Sequence, residues 1–246
     1  MQQSIFTIVS NRPVSGATYE MVLRGDTSAI TTPGQFINIK LDGFYLRRPI
    51  SVCDRNNSTV TILYKALGKG TEAMTAFAPG KELDILTGLG NGFDVSRSGD
   101  KPLLVGGGVG VAPMYLLAKE LIAAGKSVTA VLGYNNGNDV FYAEKLEQLG
   151  VRTIVCTADG SVGIPGFVTD GMKEVEEYSY LYTCGPEPML KAVYHICETS
   201  GDFSFEERMG CGFGACMGCS CKTVTGYKRI CKEGPVMQKE DILWEK

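Results

Sequence analysis

The chain has 246 residues, and its 24 basic and 27 acidic side chains give a net charge of −3 and a pI near 5.4. This balance lacks the basic patch that nucleic acids and anionic membranes attract. No signal-peptide pattern is present, and no apolar run is long enough to span a membrane. The composition therefore excludes nucleic-acid and membrane partners and predicts a soluble, cytoplasmic protein of more than one domain.

Between residues 4 and 86 the sequence predicts six short β-strands. Apolar and polar residues alternate in them, β-branched residues are frequent, and turn residues such as Pro33 with Gly34 and Asn56 with Asn57 separate them. The strand segments read IFTIVS, YEMVLRG, GQFINIKL, RRPISVCD, STVTILYKA and KELDILT. Strands at this spacing predict a small antiparallel β-barrel, which a short helix over residues 71–77 interrupts.

Two motifs of this barrel suit an anionic cofactor. The segment RRPIS at residues 47–51 offers a guanidinium for a phosphate and a hydroxyl for a ring heteroatom. The same residues also fit an exposed edge strand in which a proline blocks further pairing. Gly70 and Thr71 start the short helix, where free amides and the helix dipole attract an anion. A glycine turn with a helix cap is the alternative there.

The pattern changes near residues 96–100, where we place a domain boundary. Beyond this point strands alternate with helices. The predicted strands read KPLLVGG, SVTAVLGY, RTIVCTA and YLYTCG, and the predicted helices span residues 112–124, 142–149, 168–177 and 188–200. This alternation predicts a parallel sheet covered by helices on both faces, with ligands at the carboxyl ends of its strands.

A glycine-rich turn, GGGVGVAP at residues 106–113, joins the first of these strands to its helix. It does not fit the G-x-G-x-x-G fingerprint, because Val111 and Pro113 stand where glycine or alanine is required. A bare glycine turn still lets a pyrophosphate approach the backbone, although close packing alone would also select glycine. The next strand ends in GYNN at residues 133–136 with no Arg or Lys nearby for a 2′-phosphate, which favours NADH over NADPH.

The segment CGPEPM at residues 184–189 opens the last helix of this domain. Pro186 and Pro188 end the strand and start the helix, so the segment is a good helix start whether or not it also binds a ligand. The one histidine, His195, is predicted to lie mid-helix, where a surface or packing role is favoured over catalysis.

Five of the nine cysteines fall within residues 211–231. Four of them, spaced C-x4-C-x2-C-x11-C, are Cys211, Cys216, Cys219 and Cys231. The first three match the plant-type spacing of 2Fe–2S ligands, and the glycines between them let the backbone curl round a small inorganic core. Cys221 would face away from Cys219 in an extended segment, so it is not counted as a ligand. Structural zinc and disulfides are the alternatives, but zinc sites usually pair two C-x2-C elements, and an odd, clustered set of cysteines fits a reducing compartment.

Five features follow one another along the chain: the motifs RRPIS, GKGT, GGGVGVAP and CGPEPML and the terminal cysteine cluster. Their order is the same as in the ferredoxin–NADP reductase superfamily, which the chain resembles over nearly its whole length. The most specific part, ERMGCGFGACMGC followed by CKEGPV, resembles the electron-transfer subunits of NAD-linked, two-subunit dihydroorotate dehydrogenases. The resemblance implies a FAD-binding β-barrel at residues 1–97, a NAD-binding α/β domain at residues 98–203 and a 2Fe–2S module at residues 204–246.

The resemblance also implies which residues hold the cofactors. For FAD they are Arg48, Pro49, Ile50, Ser51, Leu63, Tyr64, Lys65, Gly70 and Thr71. For NAD(H) they are Gly107, Gly108, Gly110, Cys184, Gly185, Pro186 and Glu187. Arg48, Gly70 and Thr71 would bind the FAD phosphates, and Ser51 would lie near the reactive ring edge. The wider superfamily has a tyrosine where this chain has Ile50, so that position supplies no aromatic stack on the flavin.

The implied function is electron transfer between NAD(H), FAD and the 2Fe–2S cluster, to or from a separate, FMN-containing dihydroorotate dehydrogenase catalytic subunit. The two subunits would form a heterotetramer that serves pyrimidine biosynthesis. A flavin connects the carriers because it exchanges two electrons with nicotinamide and single electrons with a cluster. No catalytic residue for the substrate is predicted in this chain. The rival functions are a reductase subunit for ferredoxin, sulfite reductase or a hydrogenase, and a non-enzymatic redox sensor or zinc-stabilised nucleotide-binding module.

Overall fold

A computed structural model describes residues 1–244, and the first part of the chain is a closed antiparallel β-barrel. Its elements are β1 (Gln2–Ser15), β2 (Thr18–Arg24), β3 (Phe36–Ile39), β4 (Arg48–Arg55), β5 (Thr59–Lys65), α1 (Lys69–Thr75) and β6 (Glu82–Leu89). Around the barrel the strands lie in the order β1-β2-β5-β4-β3-β6. All six predicted strands are present, and the predicted short helix is α1.

The alternation of apolar and polar residues sets which side of each strand faces the barrel interior. On β1, Phe6 and Ile8 are buried whereas Ile5 and Val9 are exposed, because successive side chains of a strand point to opposite faces. Met74 of α1 is buried in the same core. Each aliphatic or aromatic side chain buried in this way contributes about 1.5–3 kcal/mol.

The second part is a seven-stranded sheet with helices on its faces. Its first elements are β7 (Pro102–Gly107), α2 (Val111–Ala123), β8 (Thr129–Tyr134), α3 (Ala143–Gln148), β9 (Arg152–Thr157), β10 (Ile164–Pro165), α4 (Val168–Met172), β11 (Tyr180–Cys184) and α5 (Glu187–Ile196). The pairings β9–β8, β8–β7 and β7–β11 are parallel, as the alternation predicts. Within residues 1–244, no helix is long and apolar enough to cross a membrane.

Two helices of this part are shorter than predicted. Helix α4 ends at Met172 rather than near residue 177, because bonds from Glu174 N to Gly171 O and from Val175 N to Met172 O tighten the chain into three-residue turns. Helix α5 ends at Ile196 rather than at residue 200. The Lys239 ammonium donates to carbonyl oxygens just beyond the end of α5, an interaction typical of a helix C-terminus.

The cysteine-rich segment is attached at both ends to the second sheet. Strand β12 (Gly201–Ser204), which was not predicted, pairs in parallel with β11. The hairpin β13 (Ser220–Thr223) and β14 (Gly226–Arg229) follows the first cysteines, and β15 (Val236–Gln238) then pairs antiparallel with β12. The sheet order is therefore β10-β9-β8-β7-β11-β12-β15. The cysteines lie on a loop whose two ends are fixed by neighbouring strands.

A buried carboxylate joins the barrel to the seven-stranded sheet. Glu20 of β2 accepts hydrogen bonds from Arg12 Nη2 at 2.6 Å, from Tyr142 Oη at 2.7 Å and from Lys145 Nζ at 2.7 Å. Burial raises the pKa of Glu20, but the three donors outweigh burial and lower it below its ordinary value. Tyr142 has φ 64, and its ring is buried at this junction. The carboxylate thus fixes α3 against β2.

Candidate functional site

The barrel and the second sheet enclose a cleft of about 250 Å³, which we call the interdomain cleft. It is lined by Phe36, Pro49, Ile50, Ser51, Leu63, Tyr64, Lys65, Leu67, Val109, Gly110, Cys184, Ser204, Phe205, Glu206, Glu207, Met209 and Pro235. The segments 49–51 of β4 and 63–65 of β5, predicted for FAD, thus face Gly110 and Cys184, predicted for NAD(H). The cleft therefore brings residues of two barrel strands and of two strand-to-helix turns together.

The solvent exposure of strand β4 changes along its length. Residues 48–51 are partly exposed, whereas Val52 and Cys53 are fully buried. A bulge between Val52 and Asp54 interrupts the pairing of β4 with β5, and bulges commonly re-aim side chains next to ligand sites. The first half of β4 pairs with β3 and lines the cleft, while the second half pairs with β5.

Tyr64 lines the same cleft, but its hydroxyl already forms a hydrogen bond within the protein. The hydroxyl donates to Asn11 Oδ1 at 2.9 Å, and the ring stacks on Tyr19 with centroids 5.6 Å apart. Burial raises the pKa of Tyr64 to about 12. Two other aromatic residues, Phe36 and Phe205, also line the cleft, and sequence reasoning did not identify them.

Arg48 and Gly70, both predicted to bind the FAD phosphates, lie in contact. A Cβ atom on Gly70 would collide with the Arg48 guanidinium, so only glycine leaves room for that cation beside the first turn of α1. The guanidinium also lies over the Phe44 ring, 4.7 Å from its centroid. The Thr71 hydroxyl donates to Gly68 O at 3.1 Å and accepts from Gly68 N at 3.3 Å. Thr71 thus caps its own helix.

The glycine turn after β7 packs against the turn after β11. A Cβ on Gly110 would collide with the Cys184 carbonyl group, and one on Gly107 would collide with Met189 Sδ. A Cβ on Gly185 would meet the Gly107 amide nitrogen at 3.2 Å. Gly108 differs, because its φ is +52 and its Cβ position faces open space. Packing accounts for three of these glycines, while Gly108 leaves backbone accessible to a ligand.

The turn after β11 contributes a buried thiol and a surface carboxylate. Cys184 is 2% exposed and lines the interdomain cleft together with Ser204. Burial, with the nearby charge of Glu206, raises the pKa of the Cys184 thiol to about 12. Pro186 packs against the Gly107 position, 3.3 Å from an ideal Cβ there. Glu187 begins α5 and pairs with Lys191 Nζ at 2.8 Å.

The first two cysteines of the predicted cluster form one pair. Cys211 Sγ accepts hydrogen bonds from Ala215 N at 3.2 Å and Cys216 N at 3.4 Å, and Cys216 Sγ accepts from Cys211 N and Gly218 N at 3.5 Å. Burial opposes ionisation of Cys211, but the amide donors outweigh it and lower the pKa of this thiol to about 6. A loop that favours the thiolate suits metal binding, because the thiolate is the ligand.

The other two cysteines form a second, buried pair. Cys219 and Cys231 are each 2% exposed, and Cys231 N donates to Cys219 Sγ at 3.4 Å. Burial and the neighbouring sulfurs of Cys219 and Cys211 raise the pKa of Cys231 to about 12. Among residues 1–244, no three His, Cys, Asp or Glu side chains are grouped closely enough to hold a single ion. Two adjacent pairs of thiols instead fit a cluster with two irons.

Cys221 lies apart from these pairs, on β13 opposite Lys228 of β14. It lines a second cleft of about 130 Å³, the outer cleft, whose walls are Glu187, Leu190, Phe205, Glu206, Glu207, Cys221, Lys222, Thr223, Met237, Ile242, Leu243 and Trp244. Burial, followed by the charge of Glu207, raises the pKa of the Cys221 thiol. Its hydrogen-bonding surroundings thus differ from those of the four paired thiols.

The cysteine loop rests on the barrel. Asn38 Nδ2 of β3 donates to Cys211 O at 3.3 Å, and the Asn38 amide occupies the space that a side chain at Gly212 would need. Arg229 Nη1 donates to Gly214 O at 2.7 Å. At the tip of the loop, Phe213 and Met217 are 43% and 53% exposed. Asn38 and Arg229 carry no motif, so only the fold shows that they support this loop.

Two family models match the chain. Residues 206–243 match the iron-sulfur cluster binding domain of dihydroorotate dehydrogenase B, and residues 104–195 match an oxidoreductase NAD-binding domain. The first match covers all five clustered cysteines, and the second runs from β7 into α5.

Relatives match over almost the whole length. The electron transfer subunit of dihydroorotate dehydrogenase B (NAD(+)) from Geobacillus sp. (strain WCH70) is 41% identical, with 99% of each chain covered. That from Shouchella clausii (strain KSM-K16) is 42% identical, with 98% of each covered. The chain belongs to this family. It is an oxidoreductase subunit that transfers electrons, as the cysteine block and the order of motifs predict.

Solved structures confirm the fold of this electron-transfer subunit. An NADH-dependent reduced ferredoxin–NADP oxidoreductase, studied for flavin-based electron bifurcation, superposes with a TM-score of 0.89 at 27% identity, covering 97% of this chain and 90% of that one. The ferredoxin reductase of carbazole 1,9a-dioxygenase has a TM-score of 0.69 at 21% identity, covering 79% and 64%. The matched domains and the reductase fold support FAD, a 2Fe–2S cluster and NAD(H) as the cofactors, the set that the sequence predicts.

Proposed function

We propose that this subunit carries electrons between NAD(H) and an FMN-containing dihydroorotate dehydrogenase catalytic subunit, through FAD and a 2Fe–2S cluster, in cytoplasmic pyrimidine biosynthesis. The two kinds of subunit would assemble as a heterotetramer with two copies of each. One observation carries the proposal. The interdomain cleft is lined by the β4 motif, by both nucleotide-domain turns, and by Met209 and Pro235, which flank the cysteine loop on either side.

In this proposal FAD occupies the interdomain cleft. Arg48 beside Gly70 holds its phosphates, because a guanidinium forms strong, charge-assisted hydrogen bonds to phosphate oxygens, and Thr71 keeps the adjoining helix start in place. The residues that line the ring system are Pro49, Ile50, Ser51, Leu63, Tyr64 and Lys65. Bound FAD supplies the exchange between two-electron and one-electron carriers.

NAD(H) binds across the two turns of the sheet. Gly108 gives the pyrophosphate access to the backbone, while Gly107, Gly110 and Gly185 permit the close packing that brings the turns together. Cys184, Pro186 and Glu187 form the rest of this wall, and Cys184 also lines the interdomain cleft. The nicotinamide end of NAD(H) would thereby reach the cleft in which FAD lies.

Cys211, Cys216, Cys219 and Cys231 would hold the cluster through their two hydrogen-bonded pairs of thiols. We retain the division into residues 1–97, 98–203 and 204–246 for FAD, NAD(H) and cluster binding, with β15 as the strand by which the last part joins the sheet of the second. The exposed Phe213 and Met217 beside the cluster offer apolar contact to the catalytic subunit.

The substrate needs that second subunit. Abstraction of a proton from carbon requires a positioned base beside a flavin, and the motifs of this chain are already assigned to its three carriers. The purified subunit should show flavin and iron–sulfur absorption and reduce artificial dyes with NADH, without turnover of dihydroorotate. Adding the FMN subunit should couple orotate formation to NAD(+) reduction.

Three outcomes would contradict the proposal. Orotate formation by this subunit alone would refute the division of labour. Failure to couple with the catalytic subunit would favour a reductase that serves ferredoxin or sulfite reductase. A colourless, zinc-containing protein would favour the non-enzymatic nucleotide-binding module.

A further inference from the structure

Glu206 stands in the wall that separates the interdomain cleft from the outer cleft. Residues 205–207 line both clefts, since this segment leaves the end of β12 and runs towards the cysteine loop. The Glu206 side chain is solvent-accessible rather than part of the core. A carboxyl group at this position can exchange with water on one side and with a cofactor on the other.

Within residues 1–244, the Glu206 carboxyl forms no hydrogen bond and no ion pair. Although the side chain is accessible, the protein that surrounds both clefts desolvates the carboxyl and raises its pKa. The other ionisable groups of the interdomain cleft are Lys65, Glu207, Tyr64 and Cys184, and those of the outer cleft are Glu187, Glu207, Cys221 and Lys222. Among these groups, Cys184 is affected by Glu206, whose charge adds to burial in raising the pKa of the Cys184 thiol.

The reaction of this subunit requires a proton at the interdomain cleft. Formation of NADH from NAD(+) consumes two electrons and one proton, and the cluster delivers electrons without protons. For each pair of electrons that forms NADH, one proton must therefore reach the interdomain cleft. When NADH is oxidised instead, one proton must leave the cleft. A buried cofactor site needs a group to move this proton.

We propose that the Glu206 carboxyl is this group, releasing a proton into the interdomain cleft and recovering one from water in the outer cleft. This inference rests on the proposed function. Glu206 is suited to the role because it lines both clefts, a position that it shares with the neighbouring carboxylate Glu207. Its accessibility and lack of a fixed partner leave the carboxyl free to change charge.

The test uses the FAD- and cluster-loaded subunit with Glu206→Gln, the carboxyl-retaining Glu206→Asp and the neighbouring Glu207→Gln. Stopped-flow absorbance separates flavin reduction by NADH, which transfers a hydride and needs no added proton, from flavin reoxidation by a one-electron dye, which releases one. We expect Glu206→Gln to leave the first rate within about twofold and to slow the second by about tenfold or more. In Glu206→Gln, flavin reoxidation should no longer show the pH dependence of the unmodified protein and should have a larger solvent isotope effect. Glu206→Asp should restore most of the reoxidation rate.

Other results would overturn the inference. An unchanged reoxidation rate and pH profile in Glu206→Gln would exclude Glu206, as would slowing in Glu207→Gln alone. Equal loss of both half-reactions, or loss of FAD content, would show a structural role instead. If the unmodified subunit bound no FAD or its flavin were not reduced by NADH, the proposed function itself would fail, and this inference with it.

Discussion

At the scale of single residues, the five clustered cysteines differ in what surrounds their sulfurs. Four lie in two hydrogen-bonded pairs, and Cys221 lines the outer cleft. We therefore expect Cys231→Ser to lose the cluster, because a thiolate of the buried pair is removed, whereas Cys221→Ser keeps it. Iron, acid-labile sulfide and visible absorption of each purified variant measure this. A cluster that survives Cys231→Ser but not Cys221→Ser would show that the ligand assignment is wrong.

At the scale of elements, the start of α1 and the start of β4 meet at Gly70. The change Gly70→Ala places a Cβ against the Arg48 guanidinium, and that flexible side chain must move. Since alanine is a better helix former than glycine, the fold should not be weakened. Losing a charge-assisted phosphate contact of about 1.5–3 kcal/mol should raise the Kd for FAD about tenfold or more.

Gly68→Ala is the matched control for this change, because an added Cβ meets no atom within 4 Å there and Gly68 already has an extended backbone with φ −153. It should bind FAD like the unmodified chain. Calorimetric titration of the flavin-free protein with FAD measures both variants. Equal affinities in the two would remove Gly70 and Arg48 from the proposed phosphate site.

At the scale of the whole molecule, Glu20 joins the barrel to the nucleotide-binding sheet. Glu20→Gln should lower the free energy of unfolding by about 3 kcal/mol at neutral pH. This value is the low end for a broken buried ion pair, and it applies because the partners Arg12 and Lys145 are 60% and 40% exposed. The pKa of Glu20 is lowered from its usual 4.5 by Lys145, Tyr142 and Arg12, which outweigh burial. The stabilisation is therefore complete above pH 4.5 and is lost as the pH falls through the lower, folded-state pKa.

Chemical unfolding of the two proteins at neutral pH and below pH 4 measures this difference, which should shrink in acid. Glu144→Gln, an exposed change on α3, is the control and should stay within about 0.5 kcal/mol at both pH values. A difference independent of pH would mean that the charge of Glu20 does not carry the effect.

Local sequence patterns specify the main elements and the chemistry of the clustered cysteines. The strands of the barrel and of the parallel sheet follow from alternation and from β–α order, and the spacing from Cys211 to Cys219 indicates a 2Fe–2S cluster because ligand spacing along a loop is local information. The segments 49–51 and 63–65, which line the interdomain cleft, are predicted to bind FAD because their motifs resemble those of a known superfamily. Each of these signals lies within one short stretch of chain.

The contacts between these stretches are visible only in the folded chain. β12 and β15 have four and three residues, too few for a periodic pattern, and they form because each pairs with a neighbouring strand. Phe36, Val109, Glu206 and Pro235 come from separate elements and line one cleft only after folding. Asn38 supports Cys211 across 173 residues of sequence. Contacts of this range depend on packing between domains, which no local pattern encodes.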